Sequence, residues 1–292
     1  MPSTNKHSAV LQLGFRPFFA AAGLFSVLGT LAWAGMYIAG LDLAAMTMQP
    51  LVWHAHEMIF GYTMAVIAGF LLTAVRNWTG VQTLHGLPLL LLLLLWLAAR
   101  LLSLAGSVVP PLILAGIDCA FLAGLTVALA IPIVRVGQWK QFGIISKILL
   151  LMASNAVFHA GLMGYIEDGI RIGLYSGLYI IIALILVMSR RVYPFFVERG
   201  VGYRVEPRNR QWLDNTSLLL FLVFWILELV KPDSLPVALL SAVLAGLHLL
   251  RLAGWYTRGI WRVPLLWVLF AGYGWLIVAF ALKAAVYFAG VS

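Results

Sequence analysis

A series of long apolar runs constrains this chain more than any other feature of its sequence. Hydropathy averaged over a window of about 19 residues, the length that crosses ~30 Å of hydrocarbon, distinguishes nine such runs. They lie at approximately residues 18–40, 54–76, 86–105, 109–134, 141–163, 170–189, 212–230, 235–253 and 264–288. The runs predict an all-α fold, a polytopic integral membrane helix bundle that forms one transmembrane domain over residues 1–292.

Composition supports a membrane protein and excludes several functions. Apolar residues make up 63% of the chain and charged residues 10%, and the mean hydropathy is +1.01. So few charges cannot cover a soluble surface, which excludes a cytosolic enzyme and a nucleic-acid partner and leaves the lipid bilayer as the expected environment. Cys119 is the one cysteine, so a metal here must use histidine, carboxylate or methionine ligands.

The positions of the basic residues predict an orientation. With the N-terminus in the cytoplasm, only four of the 19 lysines and arginines fall on the outer side: Arg100, Arg171, Lys231 and Lys283. Lys and Arg are retained in cytoplasmic loops, so this distribution favours nine spans that begin inside and end outside. The longest polar segment, residues 193–211, is then predicted to be a solvated cytoplasmic loop.

The start of the second run contains the clearest group of ionisable residues, Trp53-His54-Ala55-His56-Glu57-Met58. Charged groups within spans are costly, so they are the first places to look for function. In a regular helix His54, Glu57 and Met58 share one face, whereas His56 points roughly 160° away from His54. One histidine is therefore expected to face the bundle, and the sequence does not say which.

Depth connects this segment to the fifth run. At 1.5 Å per residue, His54 and His56 lie within about 3 Å of the outer end of their span, and His159 lies about 6 Å from the outer end of its own. We expect a polar cluster near the outer leaflet formed by His54 or His56 with Glu57, Met58, Asn155 and His159. Imidazole, carboxylate and thioether groups suit a copper ion or an axially bound haem iron.

Other polar residues within the runs have two interpretations each. His248 lies about 20 Å from the outer end of its span, where it is a haem ligand or a hydrogen-bonded core histidine. Arg251 either holds a haem propionate or extends toward the interface. Asp118 and Glu228 either relay protons or form ion pairs, Asp118 with Arg100 for example.

A stripe of small residues, Gly169, Gly173 and Gly177, follows one face of the sixth run. Such a stripe permits close approach of a neighbouring helix, which is the favoured interpretation. A flat ligand such as a porphyrin is the alternative.

Several motifs are spread over nearly the whole chain: Arg16-Pro17-Phe18-Phe19, Trp53-His54-Ala55-His56-Glu57-Met58, Asn77-Trp78-Thr79-Gly80, Phe158-His159, Tyr193-Pro194-Phe195-Phe196 and His248-Leu249-Leu250-Arg251. Together they resemble the NnrS family of haem- and copper-containing bacterial membrane proteins. The resemblance implies a multi-pass protein of the bacterial inner membrane, linked to nitric oxide metabolism or nitrosative stress, with haem and copper as cofactors. The matching positions for those cofactors are His54, His56, Glu57, His159 and His248.

Three functions follow as hypotheses. The first is a metal-binding protein that senses, sequesters or converts nitric oxide or its iron-nitrosyl complexes. The second is a small-solute or metal transporter in which the histidines, Glu57 and Asp118 line a pathway. The third is a non-catalytic assembly partner in the membrane. Cofactor content separates them, because only the first requires a coloured protein that contains metal.

Overall fold

A computed structural model of the chain describes residues 9–41, 48–105 and 108–290, and within these residues the fold is helical with no strand. Nine helices there are long and apolar enough to span a membrane. They are α1 Phe15–Ile38, α2 Pro50–Thr79, α3 Leu87–Leu104, α4 Pro111–Arg135, α5 Phe142–Leu162, α6 Gly169–Gly200, α7 Gln211–Val230, α8 Leu235–Trp255 and α9 Pro264–Phe288. The predicted all-α membrane fold with nine spans is confirmed.

The outward faces of these helices suit lipid. Leucines in the middle of the spans are widely exposed, among them Leu24, Leu31, Leu94 and Leu219. Exposed leucines along whole helices would be costly in water and are favourable in hydrocarbon. The chain is therefore a multi-pass membrane protein whose polar residues are concentrated inside the helix packing.

The chain divides into two compact units, Met1–Ile180 and Ile181–Ser292. In the first unit α1 packs on the second half of α2, and α4 packs against both α3 and α5. In the second unit α8 packs against α7 and α9. Aromatic rings fill the second core, where Tyr193 lies against Trp255, Phe270 and Tyr273.

Helix α6 is longer than its apolar run predicts. The run ends at 189, but the helix continues through Pro194 to Gly200. Arg190 and Arg191 lower the hydropathy without disfavouring helix, and Pro194 removes only one backbone donor. The prediction that residues 193–200 belong to a loop is therefore wrong, and the connecting segment is confined to 201–210.

Helix α2 is not a regular α-helix. Residues Pro50–His56 are α-helical, Glu57–Thr63 form a π-helix, and Met64–Thr79 return to α. Two side chains donate hydrogen bonds to carbonyl oxygens of the π-helical segment. Trp96 Nε1 donates to the Gly61 oxygen at 3.0 Å, and Thr63 Oγ1 donates to the Met58 oxygen at 2.7 Å. The expectation of a regular α-helix is therefore wrong over Glu57–Thr63. A π-helical segment inside an α-helix often marks a functional site.

The glycine stripe of α6 is a packing surface in the first unit. A Cβ atom placed on Gly169 would lie 2.6 Å from the Gly161 Cα of α5, and one on Gly173 would lie 2.6 Å from the Phe158 backbone nitrogen. On Gly177 it would lie 2.6 Å from the Phe60 ring. The helix-packing interpretation is confirmed at all three positions.

Candidate metal centre

Two neighbouring residues of α2 are buried in the first unit. His56 ends the α-helical part of α2 and Glu57 begins the π-helix, and both side chains are at most 1% exposed. His56 Nδ1 lies 3.3 Å from Glu57 Oε1. His56 is thus the histidine that faces the bundle.

Asp118 of α4 is the centre of the group. Its Oδ2 atom accepts a hydrogen bond from Asn155 Nδ2 at 2.9 Å and lies 3.3 Å from the Nε2 atoms of both His56 and His159. Its Oδ1 atom accepts a hydrogen bond from Arg100 Nη2. One carboxylate therefore joins α3, α4 and α5 to the start of α2.

Arg100 of α3 lies between two carboxylates. Its Nη1 atom donates to Glu57 Oε2 at 2.7 Å, and its Nη2 atom donates to Asp118. Gly61 makes room for this guanidinium, because a Cβ atom there would lie 2.8 Å from Nη1. With neutral histidines, Glu57 and Asp118 supply two negative charges and Arg100 supplies one positive charge. A bound cation would therefore offset the excess negative charge.

Aromatic rings enclose the histidines. The His56 ring stacks on Phe158 at 4.4 Å between centroids and lies 5.2 Å from the Phe60 ring. The His159 ring meets His56 edge to face at 5.4 Å. Phe158 and Phe60 are themselves held by the glycine face of α6. The packing fixes both imidazoles and excludes water from the charges, which strengthens their interactions.

The spacing of three donor atoms suits a metal ion. One ligand atom each from His56, Asp118 and His159 lie within 4.8 Å of one another, and the carboxylate oxygen is 3.3 Å from each imidazole nitrogen. In a tetrahedral centre with bonds of ~2.0–2.1 Å, neighbouring ligand atoms stand about 3.3–3.4 Å apart. The two oxygen-to-nitrogen spacings therefore match those of a metal centre, and the two imidazole nitrogens lie within 4.8 Å of each other.

The predicted cluster is assembled in part. His56, Glu57, Asn155 and His159 come together as the depth argument expected. Asp118 and Arg100 form the ion pair that was one of their interpretations, but they also belong to the cluster, which the sequence argument missed. Their depths follow from the sequence in the same way: Asp118 and Arg100 lie about 10 and 6 Å from the outer ends of α4 and α3.

His54 and Met58 lie against α1 instead. The His54 ring stacks on Trp33 at 4.3 Å, and its buried Nδ1 has no hydrogen-bond partner among the described residues. The Met58 methyl group would lie 3.6 Å from a Cβ atom on Gly29. The opposite directions expected for His54 and His56 are thus found, whereas the expected common face of His54 and Glu57 is not, since Glu57 joins His56.

The second unit contains its own buried polar group. His248 Nδ1 lies 2.8 Å from the Tyr273 hydroxyl, which also accepts a hydrogen bond from Arg251 Nη1 at 3.3 Å. Arg251 Nη2 lies 2.7 Å from Asp214 Oδ1 and donates to Ser217 at 2.8 Å. His248 Nε2 is buried and has no partner within the described part of the chain.

Glu228, also in the second unit, forms an ion pair with Lys283 at 2.9 Å. An ion pair was one of the two interpretations of Glu228.

Nine helices of the described chain that can span a membrane, together with a buried histidine and carboxylate group in the first unit, define the class: a multi-pass membrane protein with a candidate metal centre. Its family follows from comparison. The family model described as NnrS protein matches residues 9–292, so the chain belongs to the NnrS family and the resemblance is confirmed. No curated protein and no solved structure matches the chain.

Proposed function

We propose that His56, Asp118 and His159 hold a copper ion, and that the protein serves the response to nitric oxide and nitrosative stress in the bacterial inner membrane. The observation that carries the proposal is the 3.3 Å spacing between the Asp118 oxygen and each imidazole nitrogen. The family supplies the expectation of copper and of nitric oxide. Two imidazoles and a carboxylate also suit ferrous iron, so metal analysis decides the element.

The surrounding residues support the ligands. Glu57 accepts a hydrogen bond from His56 Nδ1, so the lone pair of Nε2 is the one directed toward Asp118. A metal ligated by Nε2 would replace its 3.0 Å contact with Asn155 Oδ1. Arg100 binds the other oxygen of Asp118 and so orients the carboxylate. Because neutral histidines leave the group with one excess negative charge, a cuprous ion brings it to neutrality. Charge balance in a buried site therefore favours a monovalent metal.

Burial gives the centre its selectivity. Held by His56, Asp118 and His159, copper would supply a binding position for nitric oxide. The apolar gas enters through lipid, while Phe60 and Phe158 exclude water and polar ligands from the site. The protein's own contribution is to hold the imidazoles in one orientation.

Haem is the second cofactor that the family implies, and His248 is the residue that fits it best. Its Nε2 atom is buried and has no partner among the described residues, so it is available to an iron ion. Arg251 fits the propionate role less well, because its guanidinium already binds Asp214 and Ser217. A propionate there would have to compete with the Asp214 carboxylate.

Metal analysis and absorption spectra of the detergent-purified protein test both cofactors. Wild type from copper-supplemented, haem-replete cells is compared with His56→Ala and His159→Ala, and with His248→Ala for haem. We expect copper affinity to fall at least ~10-fold in the first two variants, since the loss of a supporting residue alone costs that much. The Soret band is expected to weaken in the third.

His85→Ala is the matched control. His85 lies in the segment between α2 and α3, where its Nδ1 contacts the Thr83 carbonyl oxygen at 3.2 Å, and we expect its copper content to equal that of wild type. A wild-type protein free of copper and iron, or equal copper in His56→Ala and wild type, would refute the metal centre. The group would then be a structural charge network.

A further inference from the structure

A cavity of about 510 Å³ opens at one end of the second unit, beside the end of α8 and the start of α7. Its apolar wall includes Leu213, Leu250 and Trp255, and its polar wall includes Arg208 and Arg210. This volume lies within the range of small-molecule sites, ~300–1,000 Å³. Apolar and cationic walls side by side fit an amphiphile with an anionic head.

The backbone fixes the cationic wall in place. Arg208 donates its N–H to the Gly254 oxygen at 2.8 Å, and a Cβ atom on Gly254 would lie only 3.1 Å from the Arg208 oxygen. Arg210 is the N-cap residue of α7, and no side chain caps that helix. The first turn of α7 therefore adds backbone N–H groups and a partial positive charge at the cavity.

The charge of the cavity wall is positive overall. Glu206, the acidic residue of the lining, is paired with Arg204 at 3.0 Å. Arg208 and Arg210 are exposed, and neither takes part in an ion pair between described residues. Two arginines thus remain available to an anion.

Trp255, one of the residues that line the cavity, has a buried polar atom. Its side chain is 1% exposed, and its Nε1 donor is buried with no acceptor among the residues described. An unsatisfied buried N–H is costly, and such groups call for an explanation. A phosphate oxygen in the cavity is an acceptor of the right chemistry.

We propose that this cavity binds the phosphate group of an anionic phospholipid, with Arg208 and Arg210 on the headgroup and an acyl chain along Leu250. Leu250 is 61% exposed on the lipid side of α8, so a chain can pass from the cavity into the bilayer. Basic pockets at the ends of spans bind such headgroups in other membrane proteins. The residues of this site belong to the second unit, and those of the metal centre belong to the first.

Thermal stabilisation of the detergent-purified full-length protein, titrated with defined lipids, tests the site. The ligands are phosphatidylglycerol, the zwitterionic phosphatidylcholine and inorganic phosphate. The cavity variant is Arg208→Gln/Arg210→Gln, and the matched control is Arg258→Gln/Arg262→Gln, which removes two exposed arginines of the same unit outside the cavity lining. Arg208→Lys/Arg210→Lys retains the charge.

Phosphatidylglycerol is expected to stabilise wild type, the control and the lysine variant, and to bind the cavity variant roughly 30-fold more weakly, about fivefold for each arginine. Three results would overturn the proposal. Equal stabilisation by phosphatidylcholine would show that the anionic headgroup is not required. An equal loss of phosphatidylglycerol affinity in the control variant would show a diffuse surface effect. Saturable stabilisation by inorganic phosphate that prevents lipid binding would show a site for free phosphate instead.

Discussion

Arg100 lies between Glu57 and Asp118 with 2% of its side chain exposed, so its charge is compensated by these two carboxylates and not by water. Removing one member of a buried ion network leaves charges without partners in a low dielectric, which typically costs 3–5 kcal/mol. We predict that Arg100→Met lowers the free energy of unfolding by about this amount. Reversible unfolding of the metal-free protein in mixed micelles measures it.

Two further variants make the result specific. Arg171→Met removes an arginine from the exposed Arg171–Asp168 pair, where the side chains are 42% and 64% exposed, and is expected to cost less than ~1 kcal/mol. Arg100→Met/Glu57→Gln/Asp118→Asn removes all three charges and is expected to recover most of the lost stability. If Arg100→Met is as stable as Arg171→Met, the ion network does not hold this region together.

The members of this group differ in how well the sequence predicts them. His56, Glu57 and His159 stand out because ionisable side chains are rare in membrane spans. Helical geometry separates His54 from His56 by roughly 160° but does not say which faces inward. The contact of Arg100 with Asp118 was one of two open interpretations, because nothing in a linear sequence shows which spans are neighbours.

Close packing of α6 on α5 supports the ring that stacks on His56. A Cβ atom on Gly173 would lie 2.6 Å from the backbone nitrogen of Phe158, and a helix backbone cannot yield as a flexible side chain does. We predict that Gly173→Ala costs 1–3 kcal/mol of unfolding free energy, about the cost of overpacking, and lowers copper affinity by displacing Phe158. Unfolding and copper titration of the same preparation test both effects.

Gly116 of α4 is the matched control for this substitution. Nothing lies within 4 Å of a Cβ atom built there, so Gly116→Ala is expected to leave copper binding unchanged and to gain up to ~1 kcal/mol from helix propensity. A stable, copper-binding Gly173→Ala would mean that α6 can move away from α5 at little cost.

The sequence predicts the positions of the helices better than their lengths and their internal geometry. Hydropathy predicts the positions of all nine described spans, because lipid accepts long apolar helices and little else. It misses the continuation of α6 beyond 189, since a helix can leave the membrane without a change of backbone conformation. It also misses the π-helix at Glu57–Thr63, which depends on tertiary partners such as Trp96.

Orientation in the membrane is a property of the whole chain, and it depends on charge. With the N-terminus inside, four of the 19 basic residues lie outside, and inverting the chain would place the other basic residues there. The same orientation puts the candidate metal centre near the outer leaflet. The charge distribution therefore predicts both the topology and the side from which the centre is reached.

Two exposed positions on opposite sides test this topology. Asp233 lies between α7 and α8 with 87% of its side chain exposed, and Arg204 lies between α6 and α7 with 92% exposed. In a Cys119→Ala background, a membrane-impermeant maleimide is expected to label Asp233→Cys in intact spheroplasts and Arg204→Cys only after permeabilisation. The background protein without an added cysteine controls for labelling elsewhere. The opposite pattern would place the N-terminus and the basic loops outside, against the effect of lysine and arginine on insertion, and would move the metal centre to the cytoplasmic leaflet.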